Sequence, residues 1–227
     1  MTPERYQRLR AVLDRRQPDL TVITDNVHKG RNLSAIVRTA DAAGIAEMHA
    51  VIDDKDYRAF RGTAMGSHSW VAVRRHRDIA ELIGDMQERG YQVLAAHLGE
   101  GSVDYRQPDY TRPTAVLLGA EKRGVSAEAC ALADAHITIP MMGMVQSYNV
   151  SVAAGIILSE AQYQRDRAGL YDQPRLDKQS YQRTLFEWAH PEIRDFCRAK
   201  GLDYPALREE DGEIDQPAQW YRRIREG

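Results

Sequence analysis

The spacing of hydrophobic positions divides the chain into recognisable elements. Short apolar runs alternate with stretches in which apolar residues recur every three to four positions. The short runs predict strands at residues 20–24, 48–52, 70–73, 91–96, 114–118 and 136–139. The longer stretches predict helices at residues 32–43, 78–89, 126–133 and 149–167. Nearly continuous apolar strands that alternate with helices favour an α/β fold with a mostly parallel sheet covered on both faces.

The two ends of the chain have a helical pattern without strands. In residues 1–18, Tyr6, Leu9 and Leu13 fall at helical spacing among five arginines, which predicts an amphipathic arm. The turn-rich segment 168–176 predicts a linker, and short helices are expected after it. We therefore expect three parts, which are an N-terminal helical arm at residues 1–18, an α/β domain at residues 19–167 and a C-terminal helical extension at residues 168–227.

Composition excludes several classes of protein. The chain has 227 residues, 43% of them hydrophobic, with 31 basic and 33 acidic side chains. These values exclude disordered and collagen-like chains and a uniformly basic nucleic-acid coat, although not a local basic patch. No apolar run approaches the roughly 18 residues of a membrane span, and the first residues lack a secretory apolar stretch. We expect a cytoplasmic globular protein with no membrane contact.

Several common catalytic motifs are absent. The two cysteines, Cys130 and Cys197, are too few for a disulfide framework or a Cys-rich zinc site. The seven histidines form no HExxH pattern, and neither CxxC nor GxSxG occurs. Gly119 to Ser126 has the spacing of a phosphate loop, but Val125 stands where its lysine belongs. The sequence therefore predicts no metal ion and no nucleoside-triphosphate site.

The first polar cluster lies at the start of the helix predicted at residues 32–43. Asn32 is placed to cap this helix, and Ser34 and Arg38 share one of its faces because they are four residues apart. An arginine within such an apolar helix is costly unless it meets an anion. That anion is either a ligand or a carboxylate such as Asp41.

The second polar cluster follows the strand at residues 114–118. Ligands in open α/β sheets bind at the carboxyl ends of strands, where this cluster lies. Gly119 and Gly124 permit a close approach of backbone, and Glu121 in the turn can cap amides or accept from a ligand. The alternative is an ordinary turn with a solvated Glu-Lys-Arg tip.

The third polar cluster follows the strand at residues 136–139. Its three methionines suit a purine ring or a thioether, and core filling is the alternative interpretation. Ser147, Asn149 and Ser151 alternate, so an extended segment would turn all three to one side. Asn149 can also cap the long helix that follows.

Taken together, the three clusters resemble the motifs of the SpoU branch of the SPOUT RNA methyltransferases. Asn32 to Ala40 matches motif one, Leu118 to Val125 matches motif two, and Ile139 to Ala153 matches motif three. The resemblance covers residues 1–165 well and the C-terminal tail more loosely. It implies an α/β-knot domain with a mostly parallel sheet, a deep C-terminal trefoil knot and helical extensions at both ends. It also implies a homodimer whose active site is built at the interface.

The resemblance also implies a reaction. The family transfers a methyl group from S-adenosyl-L-methionine to a ribose 2′-hydroxyl, and the similarity is greatest to members that act on guanosine 18 in the D-loop of tRNA. Methylation of ribosomal RNA or of another tRNA position is the alternative, which the small N-terminal arm disfavours. A non-enzymatic RNA-binding module is a third hypothesis, which the presence of Arg38, Glu121 and Asn149 disfavours.

Residue roles follow from the same resemblance. It implies that Arg38 is catalytic, described in the family as the general base. Because a guanidinium loses its proton only above about pH 12, stabilising the alkoxide or relaying its proton with a substrate phosphate is the other interpretation. The side chains implied to hold Arg38, the cofactor and the ribose in register are Asn32, Glu121, Ser147 and Asn149. The residues implied to contact the cofactor are Ala96, His97, Leu118, Gly119, Ile139, Pro140, Met141, Met144, Tyr148 and Asn149.

Two further expectations concern one departure from the family pattern and the contacts with RNA. Tyr148 stands where the family usually has leucine, which changes the side-chain fit in the cofactor pocket but leaves backbone contacts available. Several arginines are candidate phosphate contacts, and their joint action predicts binding that weakens steeply with salt. These are Arg8, Arg15, Arg16, Arg31, Arg61, Arg165 and Arg167.

Overall fold

The computed structural model describes residues 1–52 and 70–226. Its helices are α1 (Pro3–Leu13), α2 (Gly30–Ala42), α3 (Ile79–Glu88), α4 (Ala127–Leu132), α5 (Val150–Arg167), α6 (Lys178–Ala189), α7 (Pro191–Lys200) and α8 (Pro217–Glu226). Its strands are β1 (Leu20–Asp25), β2 (Glu47–Val51), β3 (Ala72–His76), β4 (Gln92–Ala96), β5 (Val103–Asp104), β6 (Thr114–Gly119) and β7 (Ala135–Thr138). The chain divides into two compact units, Gln17–Gln173 and Met1–Arg16 with Pro174–Gly227.

The larger unit is built on one sheet. Seven strands of the described chain pair in parallel, in the order β3-β2-β1-β6-β4-β7-β5. Every residue of β1 is buried, and β1 pairs with β6 along its whole length. Apolar residues of α2 and α5 cover one face, and those of α3 and α4 cover the other. The expectation of a parallel α/β sheet is therefore confirmed, and the trefoil knot stays a prediction.

Two strands differ from the sequence pattern. The strand predicted at residues 70–73 instead runs from Ala72 to His76, because β3 lies at the sheet edge and carries exposed Arg74 and Arg75 rather than an apolar run. The two-residue strand β5, at the opposite edge, is too short to produce a pattern. Polar or very short edge strands therefore escape a prediction based on hydrophobic runs.

The smaller unit has a core of its own. Tyr6, Leu9 and Leu13 are buried on one side of α1, as their helical spacing predicts. Leu185 and Phe186 of α6 are buried as well, and α1 packs against α6. The predicted arm and extension thus contribute together to one compact unit.

No helix of the described chain is long and apolar enough to cross a membrane. Nor do residues 1–52 and 70–226 contain a group of three or more His, Cys, Asp or Glu side chains that could hold a metal ion.

A histidine pair, of which His49 is buried and His76 half-buried, joins β2 to β3 and makes stability depend on pH. His49 is 5% exposed, and its Nδ1 lies 3.0 Å from Nε2 of His76. Burial lowers the pKa of His49 to about 4 and also lowers the pKa of His76. The unfolded chain therefore binds more protons than the folded one between pH 6.5 and 4. The stabilising contribution is complete above pH 6.5 and is lost as the pH falls towards 4.

We expect the free energy of unfolding to fall by up to about 3 kcal/mol between pH 7.5 and pH 4 through His49. His49→Gln keeps a neutral polar group but does not titrate, so its unfolding free energy should change less over this range. Urea unfolding at several pH values measures both, with His28→Gln, at an exposed position, as the control. An unchanged pH slope in His49→Gln would contradict this assignment.

Candidate active site

A cavity of about 340 Å³ opens where β4, β6 and β7 end. Neighbouring parallel strands bring these ends together, because β4 pairs with both β6 and β7. The cavity is lined by Ala96, His97, Leu98, Leu118, Gly119, Ala120, Glu121, Lys122, Arg123, Gly124, Ile137, Thr138, Ile139, Met141, Gln146, Ser147, Tyr148, Val150, Ala153 and Ile157. Its position at the carboxyl edge of the sheet is the usual place for a ligand in an open α/β fold.

The turn after β6 is folded tightly on itself. A Cβ atom added to Gly119 would lie 2.0 Å from both the carbonyl carbon of Gly124 and the amide nitrogen of Val125. The Gly124 amide donates to the Ala120 carbonyl at 2.7 Å, and Gly124 has φ of 70°, which favours glycine. The glycines of motif two are therefore required by the turn itself, and they leave Glu121, Lys122 and Arg123 at its tip.

Three distant segments meet in a polar cluster beside the cavity. The Asn32 side-chain amide donates to the Glu121 carboxylate, and the Asn149 amide donates to Asn32 Oδ1 at 3.3 Å. The Lys29 Nζ lies 3.9 Å from Oε1 of the same Glu121 carboxylate. We call Asn32, Glu121 and Asn149 the amide–carboxylate cluster. It brings together one residue from each of the three sequence motifs.

Two residues of this cluster, Asn149 and Asn32, are positioned by the starts of helices. Asn149 caps α5, as its position predicts, and its Oδ1 accepts from the Ser151 amide at 2.9 Å and the Ser151 hydroxyl at 2.6 Å. Ser151 therefore belongs to α5 and not to an extended segment. The expectation that Asn32 caps α2 is wrong, because that helix begins at Gly30 with Lys29 in the cap position. Asn32 lies inside the first turn, which frees its side chain for Glu121.

Arg38 does not lie in the interior of this chain. It is exposed, and it makes no hydrogen bond or ion pair within the described residues. The buried positions of α2 are Leu33, Ile36, Val37 and Ala40. One further residue turns a helix by about 100°, so Arg38 follows Val37 out of the buried stripe. The expectation of a buried arginine is therefore wrong, and Arg38 is absent from the cavity lining.

The structure brings together a large part of the predicted site. Of the residues implied by the resemblance, those that line the cavity are Ala96, His97, Leu118, Gly119, Glu121, Ile139, Met141, Ser147 and Tyr148. Asn32 and Asn149 lie beside it through the amide–carboxylate cluster. Pro140 is absent from the lining, although both of its neighbours belong to it. Met144 is 100% exposed and does not line the cavity, because its side chain points to solvent in the single chain.

Other residues of the cavity lining were not predicted from the sequence. They are Leu98, Ala120, Lys122, Arg123, Gly124, Ile137, Thr138, Gln146, Val150, Ala153 and Ile157. Most are neighbours of predicted site residues, so their adjacency in the motifs is the signal that could have found them. Ile157 has no such signal, because it depends on how α5 packs.

Two of the expected RNA contacts are buried, and the first is Arg165, which is fully buried in the larger unit. Its guanidinium donates to the Tyr110 carbonyl at 2.8 Å, to Gln17 Oε1 at 2.9 Å, to Asp19 Oδ1 at 2.7 Å and to the Arg112 carbonyl at 3.0 Å. A buried cation needs such partners, so Arg165 fastens α5 inside the fold and is not available to RNA. The expectation for Arg165 is therefore wrong.

Arg16 is the second correction. It is 1% exposed, and its guanidinium lies 5.2 Å from the centre of the Trp188 ring in the smaller unit. Arg8, Arg15, Arg31 and Arg167 are exposed. The prediction for Arg61 lies outside the described residues.

A parallel sheet with a cavity at its carboxyl edge, here lined by the second and third motifs, is typical of an α/β protein that binds a ligand at that edge. Sequence comparison gives its family. The model of the SpoU rRNA Methylase family matches residues 19–159, and the model described as SpoU, rRNA methylase, C-terminal matches residues 163–217. The chain belongs to the SpoU methylase family.

Relatives within this family have specific names. A tRNA (guanosine(18)-2′-O)-methyltransferase of Escherichia coli is 49% identical over 223 residues, which is 97% of each chain. The protein of the same name from Thermus thermophilus is 57% identical over 187 residues, 82% of this chain and 96% of that one. The crystal structure of the A. aeolicus TrmH/SpoU tRNA modifying enzyme matches with a TM-score of 0.78 and 43% identity, over 84% of this chain and 97% of that one.

Proposed function

We propose that this protein transfers a methyl group from S-adenosyl-L-methionine to the ribose 2′-hydroxyl of guanosine 18 in tRNA. The observation that carries the proposal is the amide–carboxylate cluster beside the cavity, in which one residue from each family motif meets the others. The names of the E. coli and T. thermophilus relatives support the choice of tRNA and of position 18. A tRNA substrate implies a cytoplasmic enzyme.

The lining of the cavity fits the cofactor. Its volume lies in the range of small-molecule sites, and its walls combine strand-end backbone with the apolar side chains of Leu118, Ile137 and Ile157. Backbone amides and carbonyls suit the edge of an adenine ring, and Met141 offers a soft surface for a ring or a thioether. When bound there, S-adenosyl-L-methionine supplies an electrophilic methyl group. A solved rRNA methyltransferase of Sinorhizobium meliloti with AdoMet bound, 34% identical, covers 66% of this chain and 61% of that one with a TM-score of 0.57.

The chain's own residues then orient the reacting hydroxyl. Glu121 is held by Asn32 and lies near Lys29, so its carboxylate has a fixed position at the cavity wall. Ser147 lines the cavity and can donate or accept a hydrogen bond at the ribose. In the homodimer proposed below, Arg38 of the partner subunit supplies positive charge where the 2′-oxygen becomes an alkoxide, or relays its proton to a phosphate of the substrate. Holding the hydroxyl in line with the methyl group provides the remaining rate gain.

The exposure of Arg38 supports a homodimer. The guanidinium lies on the outer side of α2 and does not line the cavity of its own chain. We therefore propose that two copies associate and that the interface completes each active site with an arginine from the partner subunit. We also propose the trefoil knot of the family for this chain.

Four exposed arginines remain as candidate contacts with tRNA phosphates. Arg8 and Arg15 belong to the smaller unit, and Arg31 and Arg167 belong to the larger one. Several such contacts acting together make RNA binding strongly dependent on salt.

Methylation of defined transcripts tests the proposal. The protein is incubated with labelled methyl donor and unmodified tRNA, and the product is digested and mapped. We expect label in 2′-O-methylguanosine at position 18 and none in a transcript with adenosine there. A 23S rRNA transcript is tested in parallel as a second substrate. It is chosen because the 23S rRNA (guanosine-2′-O-)-methyltransferase of Pseudomonas syringae is 38% identical over 160 residues, 68% of this chain and 62% of that one. Label confined to ribosomal RNA, or absent from 2′-O-methylguanosine, would overturn the proposal.

A further inference from the structure

The mouth of the cavity carries two adjacent cations, Lys122 and Arg123, which we call the cationic tip. Both side chains are exposed and both residues line the cavity. Within residues 1–52 and 70–226, neither side chain makes a hydrogen bond or an ion pair. The proposed mechanism gives neither side chain a role.

The cationic tip has a fixed position. Glu121, immediately before it, is held by Asn32, and Gly124, immediately after it, is bonded to the Ala120 carbonyl. The two cations therefore lie on a short, anchored turn and not on a long mobile loop. Ordering such a turn on a ligand costs little conformational entropy, because its backbone is already fixed.

Glu121, the acid that precedes the cationic tip in sequence, does not balance its charge. The Glu121 carboxylate accepts from Asn32 and faces Lys29, so it is already engaged elsewhere. Two uncompensated positive charges at the rim of a cavity favour an anion at that rim. An RNA that places a ribose 2′-hydroxyl in the cavity brings such an anion with it, since the 3′-phosphodiester is attached to the adjacent carbon of the same ring.

We propose that the cationic tip binds the phosphodiester on the 3′ side of the methylated ribose. This inference rests on the proposed function and adds a substrate-positioning role for Lys122 and Arg123. Lysine acts there as a compact point charge, and arginine adds a planar fork that can bind two phosphate oxygens.

Charge-neutral variants test the role. Lys122→Gln, Arg123→Gln and the double variant are compared with Arg112→Gln, which removes an exposed cation just before β6, at the opposite end of that strand. In the double variant we expect KM for tRNA to rise about tenfold and the slope of log KM against log salt to fall by about one to two. We expect kcat and the Kd of S-adenosyl-L-methionine to stay near the wild-type values. Exchange of the two cations, Lys122→Arg with Arg123→Lys, should restore most of the affinity.

A modified substrate identifies the phosphate. A tRNA assembled from two pieces, with one uncharged methylphosphonate on the 3′ side of guanosine 18, should raise KM for the wild type and have little further effect on the double variant. Values equal to those of Arg112→Gln, or a loss confined to the Kd of S-adenosyl-L-methionine, would overturn the inference. Wild-type methylation in the same assay tests the proposed function separately, so failure of one is distinguishable from failure of the other.

Discussion

Replacing Arg38 by alanine should reduce turnover by about a thousandfold. This is the upper end of the range for the loss of one group that stabilises a developing oxyanion. Because Arg38 is exposed and does not line the cavity of its own chain, the affinity for S-adenosyl-L-methionine should stay within about tenfold, or about 1.4 kcal/mol. Single-turnover methylation of tRNA and calorimetry with the cofactor measure the two quantities.

The fold should tolerate this substitution. Arg38 contributes no buried contact and no ion pair to the described residues, so alanine there should leave the thermal unfolding midpoint close to that of the wild type. Arg38→Lys is the matched variant, since it keeps the charge and removes the planar fork. Substantial residual turnover in Arg38→Ala would remove Arg38 from the centre of the mechanism.

Arg165→Ala should lower the free energy of unfolding by about 3–5 kcal/mol, the range for breaking a buried ion pair. The reason is that Asp19 and the carbonyls of Tyr110 and Arg112 lose a shared donor in the interior. Urea unfolding followed by circular dichroism measures the loss.

Arg167→Ala is the control for Arg165→Ala, because it removes an arginine from the same helix at an exposed position. We expect a change in unfolding free energy of about 0.5 kcal/mol or less, typical of surface substitutions, together with weaker tRNA binding at low salt. Equal destabilisation by the two variants would contradict the structural role assigned to Arg165.

The elements with a buried apolar run were predictable, and so was part of the cavity wall. β1 and β6 are buried almost throughout and the three central residues of β4 are buried, so hydrophobicity alone indicates these strands. The turn at Gly119 was also predictable, because its glycines are needed for close backbone approach. The resemblance to a family then indicated Glu121 and Asn149 as site residues, and the structure places both in the amide–carboxylate cluster, while their roles stay predictions.

The side-chain environment of arginines was not predictable. Arg38, Arg16 and Arg165 carry the same group, yet one is exposed and two are buried. Arg165 finds its partners at Gln17 and Asp19, about 150 positions earlier in the chain, and no local pattern indicates that pairing. Long-range pairing decides whether an arginine faces solvent or the interior, and it is visible only in three dimensions.

The order of the strands in the sheet determines when each strand can find its partner while the chain is being synthesised on the ribosome. The central strand β1 pairs with β6, so one edge of β1 has no neighbour until Thr114 to Gly119 have emerged. The smaller unit can fold only later, because Tyr6, Leu9 and Leu13 of α1 belong to the same unit as the residues from Pro174 onward. The first apolar face to be made is thus among the last to be covered. A chain stalled before the final helices would expose that face to chaperones and to aggregation.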